Sequence, residues 1–170
     1  TVEFIKEKKK VIDNSKLCII DTNISKEVIE FILMNHKKID FFLDTVSTAK
    51  AKKVKDLIGY FHTIKPNRIE AELLTGIEIN DEDDLKRASE YFLRKGVKRV
   101  FISLGEKGVF YCDENNMSNI KIPKIKPVNA TGAGDAFMAA IAYGHYYNIN
   151  IEETVRMAIA ASIIAISHEN

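Results

Sequence analysis

The sequence predicts an α/β fold in which a mostly parallel sheet carries helices on both faces. Short runs rich in β-branched and aromatic residues alternate with longer segments whose apolar residues recur at helical spacing. Repeated strand–helix–strand units are typical of parallel sheets, because the helix returns the chain to the edge where the next strand begins. Two alanine-rich helices near the end are apolar almost all the way round, which predicts that both are buried on most sides.

The first elements set this alternation. Residues 2–14 form a predicted amphipathic helix in which lysines alternate with acidic residues. Residues 17–21 and 40–44 are predicted strands, because their apolar runs are short and continuous. Ser25 is typical of a helix N-cap and begins the helix between them, which runs to His36.

The middle of the chain continues the same pattern. It is predicted to be helical where apolar residues recur every three or four positions, and extended where β-branched residues are consecutive. In this part of the chain a proline follows the predicted strand and glycines follow predicted helices, because the backbone preferences of these two residues end such elements. In order, these elements are a helix over 49–61, a strand over 62–65, and helices over 68–74 and 81–95.

The last third is predicted to change character. Strands over 98–103 and 108–112 flank a glycine turn, and a third strand over 120–122 completes a small antiparallel unit. The two apolar helices follow, over 134–147 and 151–167. In sheets of this kind ligands bind outside the carboxyl ends of the strands, so candidate functional residues are sought there.

Composition excludes several classes of protein. The chain carries 25 basic and 24 acidic residues, a net charge of +1, so no excess charge favours nucleic acid or an anionic membrane. No apolar run is long enough to span a bilayer, and the charged start does not resemble a signal peptide. Cys18 and Cys112 lack a CxxC partner, which predicts free, buried thiols. We therefore expect a cytoplasmic protein without nucleic-acid or membrane partners; a homodimer is left open.

The histidines predict no metal cluster or catalytic dyad, because their positions show no ligand spacing. The motifs GxSxG and HExxH are absent from the sequence, which argues against the familiar hydrolase and metalloprotease classes. The histidines are His36, His62, His145 and His168.

The segment NATGAGDAF, residues 129–137, carries the strongest chemical signal. Gly132 and Gly134, with Ala133 between them, leave backbone N–H groups accessible at the start of a helix, where the dipole adds positive charge. Together these features predict a site for the charge that builds on a transferring phosphoryl group. Asp135 lies in the first turn and could accept the proton of an attacking hydroxyl. The alternative is an ordinary helix start, in which Asp135 only complements the dipole.

The segment KPNRIEAELLTG, residues 65–76, carries a second signal. Asn67 and Glu70 are three residues apart on one face of a short helix, so an amide and a carboxylate could hold a hydrated Mg²⁺ beside phosphates. The alternative is a capping arrangement, in which Asn67 is the N-cap and Glu70 completes it.

The segment SLGEKG, residues 103–108, is the third signal. A strand ends at Ser103, and Gly105 and Gly108 would let a nucleotide approach the backbone. The alternative is a hairpin turn that needs glycine for its geometry.

In combination and in this order, the segments KPNRIEAELLTG, ISLGEKGVFY and NATGAGDAF resemble the PfkB (ribokinase-like) carbohydrate kinase family. The resemblance covers essentially the whole chain and corresponds to the later half of a typical member. It implies a three-layer α/β/α ribokinase-like sandwich, ATP and Mg²⁺ as cofactors, and phosphorylation of a CH₂OH-type hydroxyl.

The resemblance also implies roles for individual residues. Asp135 matches the catalytic base, and Gly132, Ala133 and Gly134 match the anion hole. Thr131 belongs to the same motif, at the nucleotide. Asn67 and Glu70 match the NxxE motif that organises Mg²⁺ and phosphate, and the segment beside the nucleotide is matched by Ser103, Gly105 and Gly108.

Within the family, FLDTVSTAKAKKVKDL followed by HTIKPNRIEAELL looks most like the pseudouridine kinases. That similarity implies transfer of the ATP γ-phosphoryl group to the 5′-hydroxyl of pseudouridine. Three alternatives stay open: a kinase of the same fold for ribose, adenosine or fructose phosphate, a non-catalytic nucleotide-binding regulatory domain, and an inert structural fragment.

The chain departs from the family pattern at one dipeptide. Asn129 and Ala130 stand where members commonly have Asp-Thr, whose Asp helps to hold a monovalent cation, so activation by such a cation is left open. The resemblance further implies that residues 1–170 are the C-terminal, ATP-binding and catalytic part of one kinase domain, and that the sugar-binding part and lid come from an N-terminal half that these residues do not include.

Overall fold

A computed structural model describes residues 1–123 and 132–167 of the chain. Six strands in these ranges form one sheet whose spatial order is the same as their order in the sequence. The first four strands are parallel, and the last two pair antiparallel as a hairpin at one edge. The strands are β1 Leu17–Asp21, β2 Asp40–Asp44, β3 Thr63–Lys65, β4 Arg99–Ser103, β5 Val109–Cys112 and β6 Met117–Ile120.

Helices connect the parallel strands and cover both faces of the sheet. None of those in the described residues has the length and hydropathy needed to cross a membrane. The α-helices are α1 Val2–Glu7, α2 Lys9–Asp13, α3 Lys26–Asn35, α4 Thr48–Ala51, α5 Arg68–Thr75, α6 Glu82–Lys95, α7 Ala133–Tyr146 and α8 Ile151–Ser167, and short 3₁₀ turns cover 52–54, 58–60 and 105–107.

The sheet separates two hydrophobic cores. Successive side chains of a strand point to opposite faces, so Phe41 and Leu43 pack with α1 to α6 whereas Phe42 packs with α7 and α8. Each of these three side chains is almost completely buried. The arrangement is a three-layer α/β/α sandwich on a mostly parallel sheet, which confirms the predicted fold class.

Three predicted elements are placed differently. The helix over 2–14 is interrupted at Lys8, so α1 and α2 are separate. The helix over 49–61 keeps its buried apolar face but continues beyond α4 as 3₁₀ turns. Gly59 lies in the last of these turns, where a Cβ would be 2.2 Å from the Lys95 carbonyl oxygen at the end of α6, so this close approach requires glycine.

The third antiparallel strand is four residues long and begins earlier than the predicted 120–122. Asp113 builds the turn before it, since Asp113 Oδ1 accepts hydrogen bonds from the backbone N–H groups of Asn115 and Asn116. This tight turn fixes the register so that Cys112 faces Met117, and Val109 faces Ile120. The prediction was wrong because it followed the β-branched residues and not the turn.

Both cysteines are free thiols, as predicted. Cys112 is fully buried in β5, whereas Cys18 is only half-buried in the edge strand β1. Burial raises the pKa of the Cys112 thiol to about 12, since the thiolate would lose its hydration.

Candidate active site

The carboxyl ends of β1 to β4 meet at one edge of the sheet, because these strands are parallel. Their last residues, Asp21, Asp44, Lys65 and Ser103, place three charged groups and a hydroxyl there. The start of α7 lies at the same edge, since it lines cavities together with these residues. Ligand sites of open parallel sheets occur at this position.

A lysine and a carboxylate pair at the centre of this edge. Asp44 and Lys65 are partners in the register of β2 and β3, and Lys65 Nζ lies 3.2 Å from Asp44 Oδ2. Only 11% of the Lys65 side chain and 14% of the Asp44 side chain are exposed. A Cβ added to Gly134 would lie 3.5 Å from Lys65 Nζ, so the ammonium group faces the first turn of α7.

The first turn of α7 is built as the glycine pattern predicts. Gly132 precedes the helix with a left-handed φ of 86°, a conformation that favours glycine. The backbone N–H groups at such a helix start have no intrahelical partner and carry the positive end of the dipole. Ser162 Oγ donates a hydrogen bond of 2.9 Å to the Ala133 carbonyl, which ties α8 to this turn. Asp135 lies in this turn and is exposed.

Asn67 and Glu70 form a complete capping box at the start of α5. Asn67 Oδ1 accepts from the Glu70 N–H, and Glu70 Oε2 accepts from the Asn67 N–H, both at 2.9 Å. The same Glu70 oxygen accepts from Thr45 Oγ1 at 2.5 Å, and the residue is 4% exposed. Glu70 therefore fixes the start of α5 against the end of β2, and its role toward a metal ion remains a prediction.

The two glycines of the β4–β5 turn differ in what they do. A Cβ on Gly108 would lie 2.0 Å from the Ile120 carbonyl oxygen, so the hairpin itself requires glycine there. Gly105 has a φ of 61°, no atom of the described residues lies within 4 Å of its Cβ position, and it lines the adjacent cavity together with Ser103. Nucleotide approach thus remains a reason for Gly105, whereas packing accounts for Gly108.

Two cavities meet at Lys65 and Gly134. The first, of about 310 Å³, lies between the β4–β5 turn and the helices α7 and α8, and its wall surface is largely apolar, with four isoleucines, a valine and a phenylalanine. The second, of about 580 Å³, is polar and contains Asp21, Asp44 and Asp135. Lys65 and Gly134 line both cavities, so a group that passes from one to the other passes these two residues.

The predicted site residues divide among these spaces. Gly134 and Ala133 line the first cavity with Ser103, Gly105 and Gly108, and Gly132 and Asp135 line the second with Gly134. Asn67 lines neither, but borders a third space of about 600 Å³ that also contacts Ser103 and Gly105. Thr131, like Asn129 and Ala130, lies outside the described residues.

A strained residue borders the second cavity. Val46 follows β2 with a φ of 58°, which is costly for a β-branched side chain, and it is exposed. The Val46 N–H donates to Asp44 Oδ1 at 3.1 Å, which holds the turn in this conformation. Strain of this kind is concentrated at functional sites, where surrounding contacts impose it.

Sequence reasoning missed Lys65 as a site residue. A signal was present, because a lysine that ends a strand directly before a proline lies at the ligand edge of a parallel sheet. Its pairing with Asp44 depends on the register of two strands, which the sequence does not state. The spacing of the histidines also gave no sign that His62 and His145 lie beside Asp40, at the opposite edge of the sheet.

Comparison with known proteins identifies a family. A family model described as pfkB family carbohydrate kinase matches residues 3–170. The pseudouridine kinase of Escherichia coli is 37% identical over 170 residues, which are 99% of this chain and 54% of that protein.

Solved structures of sugar kinases have the same fold as this chain. The crystal structure of a candidate sugar kinase from Clostridium perfringens has a TM-score of 0.96 and 46% identity, covering 100% of this chain and 54% of that one. A ribokinase from Thermotoga maritima has a TM-score of 0.84 and 26% identity, covering 100% of this chain and 56% of that one. The ribokinase-like fold is thereby confirmed, and the chain spans about half the length of these relatives.

Proposed function

The chain belongs to the pfkB family of carbohydrate kinases, and on this premise we propose that it forms the ATP-binding and catalytic part of a kinase for a sugar or nucleoside. The reaction proposed is transfer of the γ-phosphoryl group of ATP to a hydroxymethyl oxygen. The observation that carries the proposal is the junction of the two cavities at Lys65 and Gly134, with Asp135 on the polar side.

The first cavity suits a nucleotide. Its apolar walls would cover the base and ribose, and Ser103 and Gly105 offer polar atoms and an open backbone at its rim. Phosphates directed toward the junction would meet the first turn of α7, whose N–H groups suit an anion. The ammonium group of Lys65 is close enough to that turn to add its positive charge to the same anion site.

The residues at this edge fit Mg²⁺ as a hydrated ion. Oxygen donors are what Mg²⁺ prefers, and it usually keeps several of its waters. Glu70 is buried with one oxygen already bonded twice, so we propose that it and Asn67 act through ordered water. When bound, the ion would neutralise charge between the phosphates.

The proposed transfer requires one base and one oxyanion site. The acceptor hydroxyl oxygen forms a bond to the γ-phosphorus while the bond from that phosphorus to the ADP oxygen breaks. The hydroxyl proton passes to the Asp135 carboxylate, which faces the polar cavity. Charge on the phosphoryl oxygens is met by the N–H groups of Ala133, Gly134 and Asp135 and by Lys65. Most of the acceleration then comes from position and electrostatics.

Pseudouridine is the substrate that we propose. The support is the 37% identity with the Escherichia coli pseudouridine kinase over nearly the whole chain. The ribokinase of Staphylococcus aureus is 36% identical over a shorter stretch of 96 residues, so the other sugar kinases of the family remain the alternative.

The test is a product assay with the full-length protein. The protein is incubated with ATP and Mg²⁺ and, separately, with pseudouridine, uridine, adenosine, ribose or fructose 6-phosphate, and products are identified by mass. Phosphorylation of pseudouridine alone supports the whole proposal. A phosphate found on a different acceptor would retain the kinase and reject the substrate. No product, together with a thermal shift by ATP, would reject the enzyme in favour of a regulatory nucleotide-binding domain.

A further inference from the structure

Three potential metal ligands converge at the edge of the sheet opposite the candidate active site. Asp40 is the first residue of β2, His62 directly precedes β3, and His145 lies in the last turn of α7. One ligand atom from each lies within 4.8 Å of the other two. They meet because β2 and β3 are parallel neighbours, and because α7 runs back across the sheet toward the amino ends of the strands.

The two imidazole rings are held by the packing around them. His62 stacks on Phe42 with ring centroids 5.9 Å apart and an interplanar angle of 6°, and His145 meets the same ring edge-on at 5.2 Å. The centroids of the two histidines are 4.5 Å apart. Phe42 is 1% exposed, so this platform is rigid.

Each imidazole makes one hydrogen bond through a ring nitrogen. His62 Nδ1 lies 2.8 Å from Thr63 Oγ1, which leaves Nε2 for a ligand. His145 Nε2 lies 2.9 Å from Asp40 Oδ2. Partners such as the Thr63 hydroxyl orient imidazole ligands in metal sites. The Asp40 side chain is 46% exposed and that of His145 21%, so an ion can enter from solvent.

We propose that Asp40, His62 and His145 bind a divalent transition-metal ion, Zn²⁺ in particular. Two imidazoles and one carboxylate are a three-ligand set typical of Zn²⁺, with a fourth position open to water. Tetrahedral bonds of about 2.0–2.1 Å place ligand atoms about 3.3 Å apart. The Asp40–His145 pair, at 2.9 Å, is already near that spacing, and since no separation exceeds 4.8 Å, at most about 1.5 Å remains to be closed for the others.

Charges around the cluster act in both directions. Asp40 attracts a cation, whereas the positive charges of Lys98 and Arg99, at the start of β4, act on His62 and repel one. The affinity is therefore lower than that of a closed structural zinc site. The ion would join the starts of β2 and β3 to the end of α7, about 15 Å along the helix from Asp135 at 1.5 Å per residue. It stabilises the fold and is distinct from Mg²⁺ at the phosphates.

The test is metal titration of the full-length protein after treatment with a chelator. Zn²⁺ is followed by calorimetry, and Co²⁺ by the intense visible absorption of tetrahedral coordination, so neither readout requires activity. Asp40→Asn keeps the size of a half-exposed side chain, and His145→Ala removes a second ligand. The matched control is Asp13→Asn, because Asp13 pairs with His36 at 2.6 Å without a third ligand.

The expected result is one bound ion per chain, with affinity that is lost or weakened at least about tenfold in Asp40→Asn and His145→Ala and unchanged in Asp13→Asn. Zn²⁺ should also raise the melting temperature of the protein, and Asp40→Asn should remove that increase. Binding and absorption that are the same in all four proteins would overturn the proposal, as would no binding to the unmodified protein.

Discussion

Replacing Gly134 with alanine should stabilise the protein and at the same time impair phosphoryl transfer. Gly134 is the second residue of α7, and its φ is outside the left-handed region. Among the described residues, the added Cβ would meet Lys65 Nζ alone, at an ordinary contact distance of 3.5 Å. Glycine to alanine at such a position stabilises by about 0.4–1 kcal/mol, because the unfolded chain loses conformational freedom. We expect the melting temperature to rise by about 1–3 °C.

The same methyl group would stand where both cavities meet. A displacement of about 1 Å in the reacting groups can cost about 100-fold in rate, so we expect kcat/KM to fall at least tenfold. Thermal unfolding and steady-state kinetics on the full-length protein measure both effects. A Gly134→Ala protein that is destabilised, or that keeps the original kcat/KM, would refute the placement of the transferring group.

Gly144 in the same helix provides the contrast. A Cβ at Gly144 would lie 2.4 Å from Thr154 Oγ1 in α8, a clash between two packed helices. Gly144→Ala should lower stability by about 1–3 kcal/mol through overpacking. Its kcat should stay near the original value in the folded protein, since Gly144 is at the other end of α7.

Three further outcomes are expected. Lys65→Met should lower kcat/KM at least about tenfold and also lower stability, because it leaves the largely buried Asp44 carboxylate without its partner, and original kinetics in the folded variant would show that Lys65 is only structural. Gly108→Ala should destabilise the β4–β5 hairpin, because the added Cβ would lie 2.0 Å from the Ile120 carbonyl oxygen and the backbone φ at residue 108 is 107°. Denaturant unfolding measures this loss, and unchanged stability would contradict that packing. Cys112 should resist alkylation at about pH 8.5 until the protein unfolds, because its raised pKa of about 12 keeps the thiol protonated. Peptide mass mapping detects the alkylated residue, and rapid labelling of Cys112 in the native protein would contradict its burial.

Much of the fold could be predicted because local and global preferences agree. The predicted strands at 17–21 and 40–44 have the bounds that the structure gives them, because a short, continuous apolar run between helical segments favours a buried strand over other structures. The N-cap at Ser25 is also present, with its side chain accepting from the Val28 N–H. The errors fall where contacts between distant segments decide, as at Gly59 against the end of α6.

The candidate site was predicted in part for the same reason. Glycines and Asp135 are consecutive in the sequence, so their shared location is local information. The Lys65–Asp44 pair depends on strand register, and the contact of Asp40 with His145 spans 105 residues. Neither can be derived from spacing along the chain. Asn67 and Glu70, in contrast, are three residues apart, and the capping box that the sequence allowed is present. That capping box does not exclude a role beside phosphate.

The most direct test of the account is phosphoryl transfer by an Asp135→Asn variant of the full-length protein. Asparagine keeps the size of the side chain but cannot take the proton, so kcat should fall by about 100- to 10,000-fold while ATP affinity changes little. Asp83→Asn is the matched control, since Asp83 is an exposed carboxylate in the first turn of α6 and lines none of the three cavities. Loss of turnover in Asp135→Asn alone, with ATP still bound, is the predicted result. Near-normal turnover in that variant would contradict the assignment of Asp135 as the base and, with it, the proposed active site.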